Sequence, residues 1–173
     1  SVDISKGEQK LPEFLSINPL GSVPVVEDNG VVVRDSAAIL VYLGSKYGKG
    51  KWYPDTPKAM AKIQQWLAVS SNEIFHGLAL TRAMKLALRP GDPTANEAVG
   101  KRVMGLLEAR LKDHKWLATA EASVADIACY PYAAMMAHVD FPLGPFPSVQ
   151  AWFKRIEALE GYTPIPAPPP PKR

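Results

Sequence analysis

The pattern of apolar and polar positions changes character near residue 48. Before that point, short runs of β-branched residues alternate with short helical stretches, and between residues 58 and 160 apolar residues recur at helical spacing. In the first part, valines flank Asp28-Asn29-Gly30, and Asn-Gly tolerates the positive φ of a tight turn. The pattern therefore predicts an α+β chain of two domains, a mixed domain with a β-hairpin followed by an all-helical one.

Two helices are predicted around this hairpin. Residues 10–18 read as a short helix with Pro12 in its first turn, and residues 35–48 as a longer one that ends at Gly48. The longer helix is apolar nearly all round, so we expect both of its faces to be covered. Residues 2–4 have the composition of the end of a strand.

Four further helices are predicted in the second part of the chain. Their spans are residues 58–89, 94–112, 121–138 and 147–162, with Pro- and Gly-containing breaks between the first two. The third opens with Ser123 and has Asp126 three residues on, which is the spacing of a capping box.

These spans suggest a division of the chain. We assign residues 1–48 to the first domain, 49–57 to a linker and 58–165 to the helical domain. Residues 166–173 form a proline-rich tail that we expect to be extended and exposed.

Composition narrows the classes of function. The net charge of +3 is spread along the chain, which argues against a nucleic-acid partner, and the longest apolar stretch is far too short to span a membrane. Three histidines lie far apart without metal-ligand spacing, so no metal site is expected. The single cysteine, Cys129, excludes an internal disulfide and indicates a reducing, cytoplasmic compartment. It lies in an apolar helix and is interpreted as a core residue, as are Trp66 and Trp152.

One proline stands directly before the hairpin. Pro24 removes a backbone donor at the entry of a strand and leaves that edge open. If the Val23–Pro24 bond is cis, Val23 turns its N–H and C=O outward, and a peptide can pair with it as an added strand. Only about 5–6% of X-Pro bonds in folded proteins are cis, so the residues alone leave both isomers open.

Three separated segments, residues 2–30, 34–48 and 116–132, together resemble the glutathione transferase family, in particular bacterial members of theta-like or related type. The resemblance implies a thioredoxin-like first domain, a cis bond at Pro24 and a helical second domain. It also implies glutathione as co-substrate, a hydrophobic electrophile as second substrate, and a cytoplasmic homodimer.

The resemblance also implies a glutathione-binding set. Its members are Gln9, Lys10, Ser22, Val23, Pro24, Asp35 and Ser36. Glutathione is an anionic tripeptide, and the backbone of Val23 can pair with its middle residue. Asp35 can accept a hydrogen bond from its ammonium group. Ser36, at a helix N-terminus, suits its γ-glutamyl carboxylate. Gln9 and Lys10 match family positions that reach the glycyl carboxylate. There are simpler interpretations. Asp35-Ser36 could be only a helix cap, and Lys10 could be an ordinary surface lysine.

Asn72, Phe75, His76 and Arg82 share the first helix of the helical domain. They are candidates for the cleft of the second substrate. The alternative is that they are ordinary helix-surface or interface residues.

Family members begin with a strand and a helix, roughly 30 residues, ahead of the segment that residues 2–4 match. The family's catalytic hydroxyl or cysteine lies there, so we expect the thioredoxin-like domain to be incomplete and name no catalytic residue. Three hypotheses follow: a glutathione transferase, a non-catalytic glutathione-binding or scaffolding homologue, and an interaction module that uses the proline tail.

Overall fold

The computed structural model describes residues 2–167, and its first part is a small α+β unit. In chain order it contains single-turn 3₁₀ helices at Ile4–Lys6 and Glu8–Lys10, helix α1 (Pro12–Ile17), strands β1 (Val25–Asp28) and β2 (Val31–Arg34), and helix α2 (Ser36–Tyr47). The predicted hairpin and both predicted helices are confirmed.

The second part is helical. Helix α3 (Pro57–Val69) continues as a π-helical segment (Ser70–Ala79) into α4 (Leu80–Lys85), and is followed by α5 (Thr94–Asp113), α6 (Val124–Ala134) and α7 (Pro147–Glu157). A 3₁₀ turn, Met135–His138, extends α6. Between residues 95 and 160 the structure has no strand, so the all-helical second domain is confirmed.

Antiparallel pairing defines the hairpin. Val25 pairs with Arg34 and Asp28 with Val31 around the turn. The turn uses positive φ at Asn29 (51°) and Gly30 (81°), as the Asn-Gly signal predicts.

One carboxylate joins the hairpin to α2. Asp28 accepts hydrogen bonds from Tyr42 (3.0 Å) and Tyr47 (2.6 Å) and pairs with Lys46 at 2.8 Å. The turn of the hairpin is therefore tied to the carboxyl-terminal half of α2, while the open end of the hairpin lies at the start of that helix.

Two expectations about the first part are wrong. Residues 2–4 do not lie in a strand, because the Asp3 carboxylate accepts from the Ser5 N–H (3.0 Å) and starts a 3₁₀ turn. Helix α2 is not covered on both faces: Ile39 and Gly44 are its buried residues, and Ala38 is exposed. Neighbouring elements reach only part of an apolar helix surface, and the sequence pattern does not show which part.

The long helical pattern of residues 58–89 is mostly confirmed, but with two differences. It widens into the π-helical segment, and it ends at Lys85 rather than Arg89. Ala87 adopts a positive φ of 55°, and the Leu88 and Arg89 N–H groups both turn back to the Ala83 carbonyl. This local backbone reversal is not visible in the hydrophobic periodicity.

The core lies between the π-helical segment, α5, α6 and α7. Trp152 is fully buried in this core, and the partly buried Trp66 packs against the core. Both are packing residues, as predicted. Cys129 is fully buried, donates from its thiol to the Trp66 carbonyl (3.5 Å) and has a pKa raised well above its usual range by burial. Its assignment to the core is confirmed.

The capping box at the start of α6 is present. Asp126 is fully buried, and its carboxylate accepts from the Ser123 N–H (3.0 Å) and hydroxyl (3.2 Å). It also accepts from the Leu117 N–H and the Trp152 indole N–H, both at 3.0 Å. One side chain thus joins a loop, the start of α6 and α7.

The segment between the two parts is packed. Tyr53 is buried, and the Trp52 carbonyl accepts from the Val124 N–H (3.0 Å). A Cβ at Gly44 would come within 2.8 Å of Val124 Cγ1, so α2 and α6 approach closely. The domain bounds at residues 48 and 58 remain an assignment from sequence, and most of the predicted tail, residues 168–173, lies outside the described residues.

None of the helices within residues 2–167 combines the length and the apolar character that crossing a bilayer requires.

Candidate functional site

The open end of the hairpin brings two distant sequence segments together. The last pair of the ladder is Val25 with Arg34, and Val23 and Ser36 each lie two residues beyond it at the same end of the hairpin. Opposed residues of an antiparallel pair lie about 4.5–5.5 Å apart at their Cα atoms. The candidate backbone-pairing residue and the candidate carboxylate-binding residue therefore both adjoin the open end of the hairpin.

Val23 is placed for pairing with an extended ligand. The Val23–Pro24 peptide bond is cis, which confirms the expected isomer, and Val23 is exposed. Within residues 2–167, neither the backbone N–H nor the backbone C=O of Val23 makes a hydrogen bond. These two groups are what an added peptide strand requires.

Asp35 caps α2 with an unusual backbone. Its φ is 72° and its ψ 134°, a region rarely used by residues other than glycine, and its Oδ1 accepts from the N–H groups of Ala37 (2.9 Å) and Ala38 (3.3 Å). Asp35 therefore caps α2, and both capping hydrogen bonds use its Oδ1 atom. Ser36 follows as the first helical residue, exposed at the positive end of the helix dipole.

Lys10 and Gln9 lie beside the loop that leads to Val23. Lys10 Nζ donates to the Leu20 carbonyl (3.2 Å), and a Cβ at Gly21 would come within 2.7 Å of Nζ and 2.9 Å of the Gln9 carbonyl oxygen. Gln9 has a buried Oε1 without a partner in the described part of the chain. An ammonium carries three donors, so Lys10 retains two beyond the loop contact.

Sequence reasoning missed Asn18, which it used only as the end of α1. Asn18 is 1% exposed, and its side-chain amide bonds to both Leu20 and Ser22. The signal that would have found it is its place between a helix end and a proline, where a short polar side chain often bonds to nearby backbone.

The candidate cleft residues occupy the π-helical segment and α4. Asn72, Phe75 and His76 are exposed, and the Phe75 and His76 rings meet edge to face with centroids 5.2 Å apart. His76 Nδ1 lies 2.9 Å from the Asn72 carbonyl and donates to it, which leaves Nε2 for another polar contact. The structure brings these three together, and Arg82 follows further along, partly buried, in α4.

The chain is similar to known proteins along most of its length. Residues 1–45 match the family model described as glutathione S-transferase, N-terminal domain, and residues 89–160 match its C-terminal domain. A glutathione S-transferase of Drosophila melanogaster is 34% identical over 157 residues, covering 88% of this chain and 69% of the relative. The chain belongs to the glutathione S-transferase family.

Solved structures of glutathione S-transferases show the same fold. A possible member from Rhodopseudomonas palustris superposes with a TM-score of 0.85 at 30% identity, covering 94% of this chain and 82% of that one. A homologue from Drosophila mojavensis, solved with bound glutathione, gives a TM-score of 0.84 at 29% identity, covering 93% and 75%. A maize relative is 35% identical and matches 98% of this chain and 83% of its own length.

Proposed function

We propose that this protein is a glutathione transferase that binds glutathione at the open end of its hairpin. The observation that carries the proposal is that the exposed Val23 backbone and the Asp35-Ser36 start of α2 adjoin the same open end of the hairpin. A backbone pairing edge, a helix N-terminus and the Asp35 carboxylate thus adjoin one end of the hairpin, and within residues 2–167 Oδ2 of that carboxylate accepts no hydrogen bond.

Each group matches one part of an extended anionic tripeptide. Val23 pairs with the central backbone, and Asp35 Oδ2 accepts from the ammonium while Oδ1 keeps its capping bonds. The Ser36 hydroxyl and the first N–H groups of α2 bind the γ-glutamyl carboxylate. Lys10 and Gln9, held beside residues 20–22, bind the glycyl carboxylate, and Ser22 and Pro24 shape the loop between the two ends.

The reaction joins the glutathione sulfur to an electrophilic carbon. The thiolate attacks, a carbon–sulfur bond forms, the leaving group departs with its bonding electrons, and the thiol proton passes to a base. A thiol with a pKa of about 8.5 is only a few per cent ionised at neutral pH, and lowering that pKa by two units needs about 2.7 kcal/mol. Cys129 takes no part, because it is buried in the helical core. We assign no residue to stabilisation of the thiolate.

The second substrate is a hydrophobic electrophile that lies against Phe75 and His76. Phe75 is 42% exposed, so its ring offers apolar surface, and His76 Nε2 and Asn72 add polar contacts at the same place. Arg82 supplies a cation further along the same helical run.

We further propose a cytoplasmic homodimer. The support is the incompletely covered apolar surface of α2, where Val33, Ala37 and Val41 line an open groove whose other wall is formed by Gln64 and Leu67 of α3. The helical domain of a second subunit would cover this groove. The single buried cysteine suits a reducing compartment.

Calorimetric titration with glutathione, together with an absorbance assay of conjugation, tests the proposal. Ser36→Ala removes a hydrogen bond to a charged group, worth about 1.5–3 kcal/mol, so binding should weaken about tenfold or more. Ser148→Ala, a serine in the first turn of α7 and outside both proposed contact surfaces, is the matched control and should bind as the wild type does. Equal binding by both variants would contradict the site, and binding without conjugation would favour the non-catalytic homologue.

A further inference from the structure

Asn18 is a buried amide beside the proposed glutathione site. It is 1% exposed, although an amide directly after a short surface helix is normally hydrated. A buried polar side chain is costly unless its hydrogen bonds are made, so its partners indicate its role.

All three recorded side-chain bonds of Asn18 go to the loop before Val23. Oδ1 accepts from the Leu20 N–H at 3.1 Å, and Nδ2 donates to the Ser22 carbonyl at 2.7 Å and to the Ser22 hydroxyl at 3.3 Å. In the backbone, the Asn18 carbonyl accepts from the Gly21 N–H at 2.9 Å.

The same residue is fixed to α1. The Asn18 N–H donates to the Phe14 carbonyl at 2.8 Å, so the start of the loop is anchored to the last turn of that helix. One residue, through its backbone N–H and its side chain, therefore links a helix end to the residues immediately before the cis bond.

Apart from Asn18, the loop is held mainly where Gly21 packs against Gln9 and Lys10. Leu20 is 74% exposed, and Gly21 has a φ of 57°, where glycine is free to adopt many other conformations once its neighbours are released. On the opposite side, Lys10 Nζ bonds to the Leu20 carbonyl, but an exposed lysine is a flexible support.

We infer that Asn18 is a positioning residue for glutathione: it holds residues 20–22 so that the Val23 backbone keeps the orientation that pairs with the tripeptide. This inference rests on the proposed function. Asn18 acts through Ser22 and Leu20 and does not touch the ligand. Its effect is pre-organisation, since a loop that is already ordered loses less entropy when the ligand binds.

A positioning role has a definite kinetic signature. Loss of the Asn18 bonds raises the Kd and KM for glutathione. The kcat at saturating glutathione, the KM for the electrophile and the pH dependence of kcat stay unchanged, because the groups that act on the sulfur and on the electrophile are not moved.

Asn18→Asp is the sharpest variant. It preserves size and the acceptor for the Leu20 N–H, but it places a carboxylate oxygen against the Ser22 carbonyl in place of a donor. Asn18→Ala removes both contacts. Ser123→Ala, a fully buried polar residue at the start of α6, is the control for a general loss of stability.

Calorimetric titration with glutathione and steady-state kinetics are measured on all four proteins at a temperature where circular dichroism shows each to be folded. We expect both Asn18 variants to bind glutathione at least about tenfold more weakly, with kcat at saturation retained and Ser123→Ala unchanged. Binding by Asn18→Asp within twofold of the wild type overturns the inference while leaving the proposed function intact. An equal loss in Ser123→Ala overturns it too, because the effect is then one of general stability. Failure of the wild-type protein to bind glutathione removes the proposed function and this inference with it.

Discussion

Gly77 and Gly100 pass each other at backbone contact. A Cβ built on Gly77 would lie 2.6 Å from the Gly100 nitrogen, and one on Gly100 would lie 2.8 Å from the Gly77 carbonyl oxygen. The π-helical segment and α5 are therefore closer together than any side chain at these two positions would allow. This contact fixes the segment that carries Phe75 and His76.

Gly77→Ala is expected to destabilise the protein although alanine is the better helix former. The added methyl group meets the backbone of α5, which cannot rotate away, so we expect a loss of about 1–3 kcal/mol in the free energy of unfolding. Denaturant unfolding measures this quantity. Gly105→Ala in α5 is the matched control, since a Cβ there meets nothing within 4 Å, and it should stabilise by up to about 1 kcal/mol. A Gly77→Ala protein as stable as the wild type would show that the two helices separate easily.

Asp126→Asn should lower the free energy of unfolding by more than the loss of a surface charge would. The Asp126 carboxylate accepts from Ser123, Leu117 and Trp152, and an amide nitrogen at one of its oxygen positions would face donors that then lack an acceptor. We expect destabilisation of about 3 kcal/mol or more, measured by thermal unfolding. Asp55→Asn at an exposed position is the control and should stay within about 0.5 kcal/mol of the wild type. Similar values for the two variants would refute the joining role of Asp126.

Acid should weaken the tie between the hairpin and α2. Hydrogen bonds from Lys46 and Tyr47 lower the pKa of Asp28 from 3.8 to about 2. A carboxylate whose pKa is lower in the folded state stabilises the fold above its unfolded pKa, and that stabilisation disappears as the pH falls through the folded pKa. The contribution is therefore fully present above about pH 4 and is lost between pH 4 and 2. Unfolding of the wild type and of Asp28→Asn across this range measures it: the difference in stability should shrink as the pH falls, and a constant difference would disprove the assignment.

Cys129 should resist thiol reagents in the folded protein. Burial raises its pKa, so the reactive thiolate is scarce, and the thiol is also closed to solvent. We expect labelling by a chromogenic disulfide to be slow in buffer and fast in denaturant. Rapid labelling of the folded protein would mean that the core around Trp66 opens frequently.

Much of the fold around the candidate site could be predicted because it depends on local chemistry. The Asn29-Gly30 turn, the Ser123 and Asp126 capping pair and the entry of α2 at Asp35 each satisfy backbone groups within a few residues, and such preferences are written in adjacent side chains. The role of Asn18 was not predicted, because its burial and its hydrogen bonds depend on how α1 and the following loop pack together.

The sequence by itself determined the order of the hairpin and the main helices, the α+β division and the resemblance that pointed to Val23, Asp35 and Ser36. Only the tertiary structure decided which faces are covered and which residues touch. The exposure of α2, the backbone contact of Gly77 with Gly100 and the burial of Asn18 arise from packing between segments distant in sequence. Hydrophobic periodicity reports that a face is apolar, but the geometry of the neighbouring elements decides what covers it.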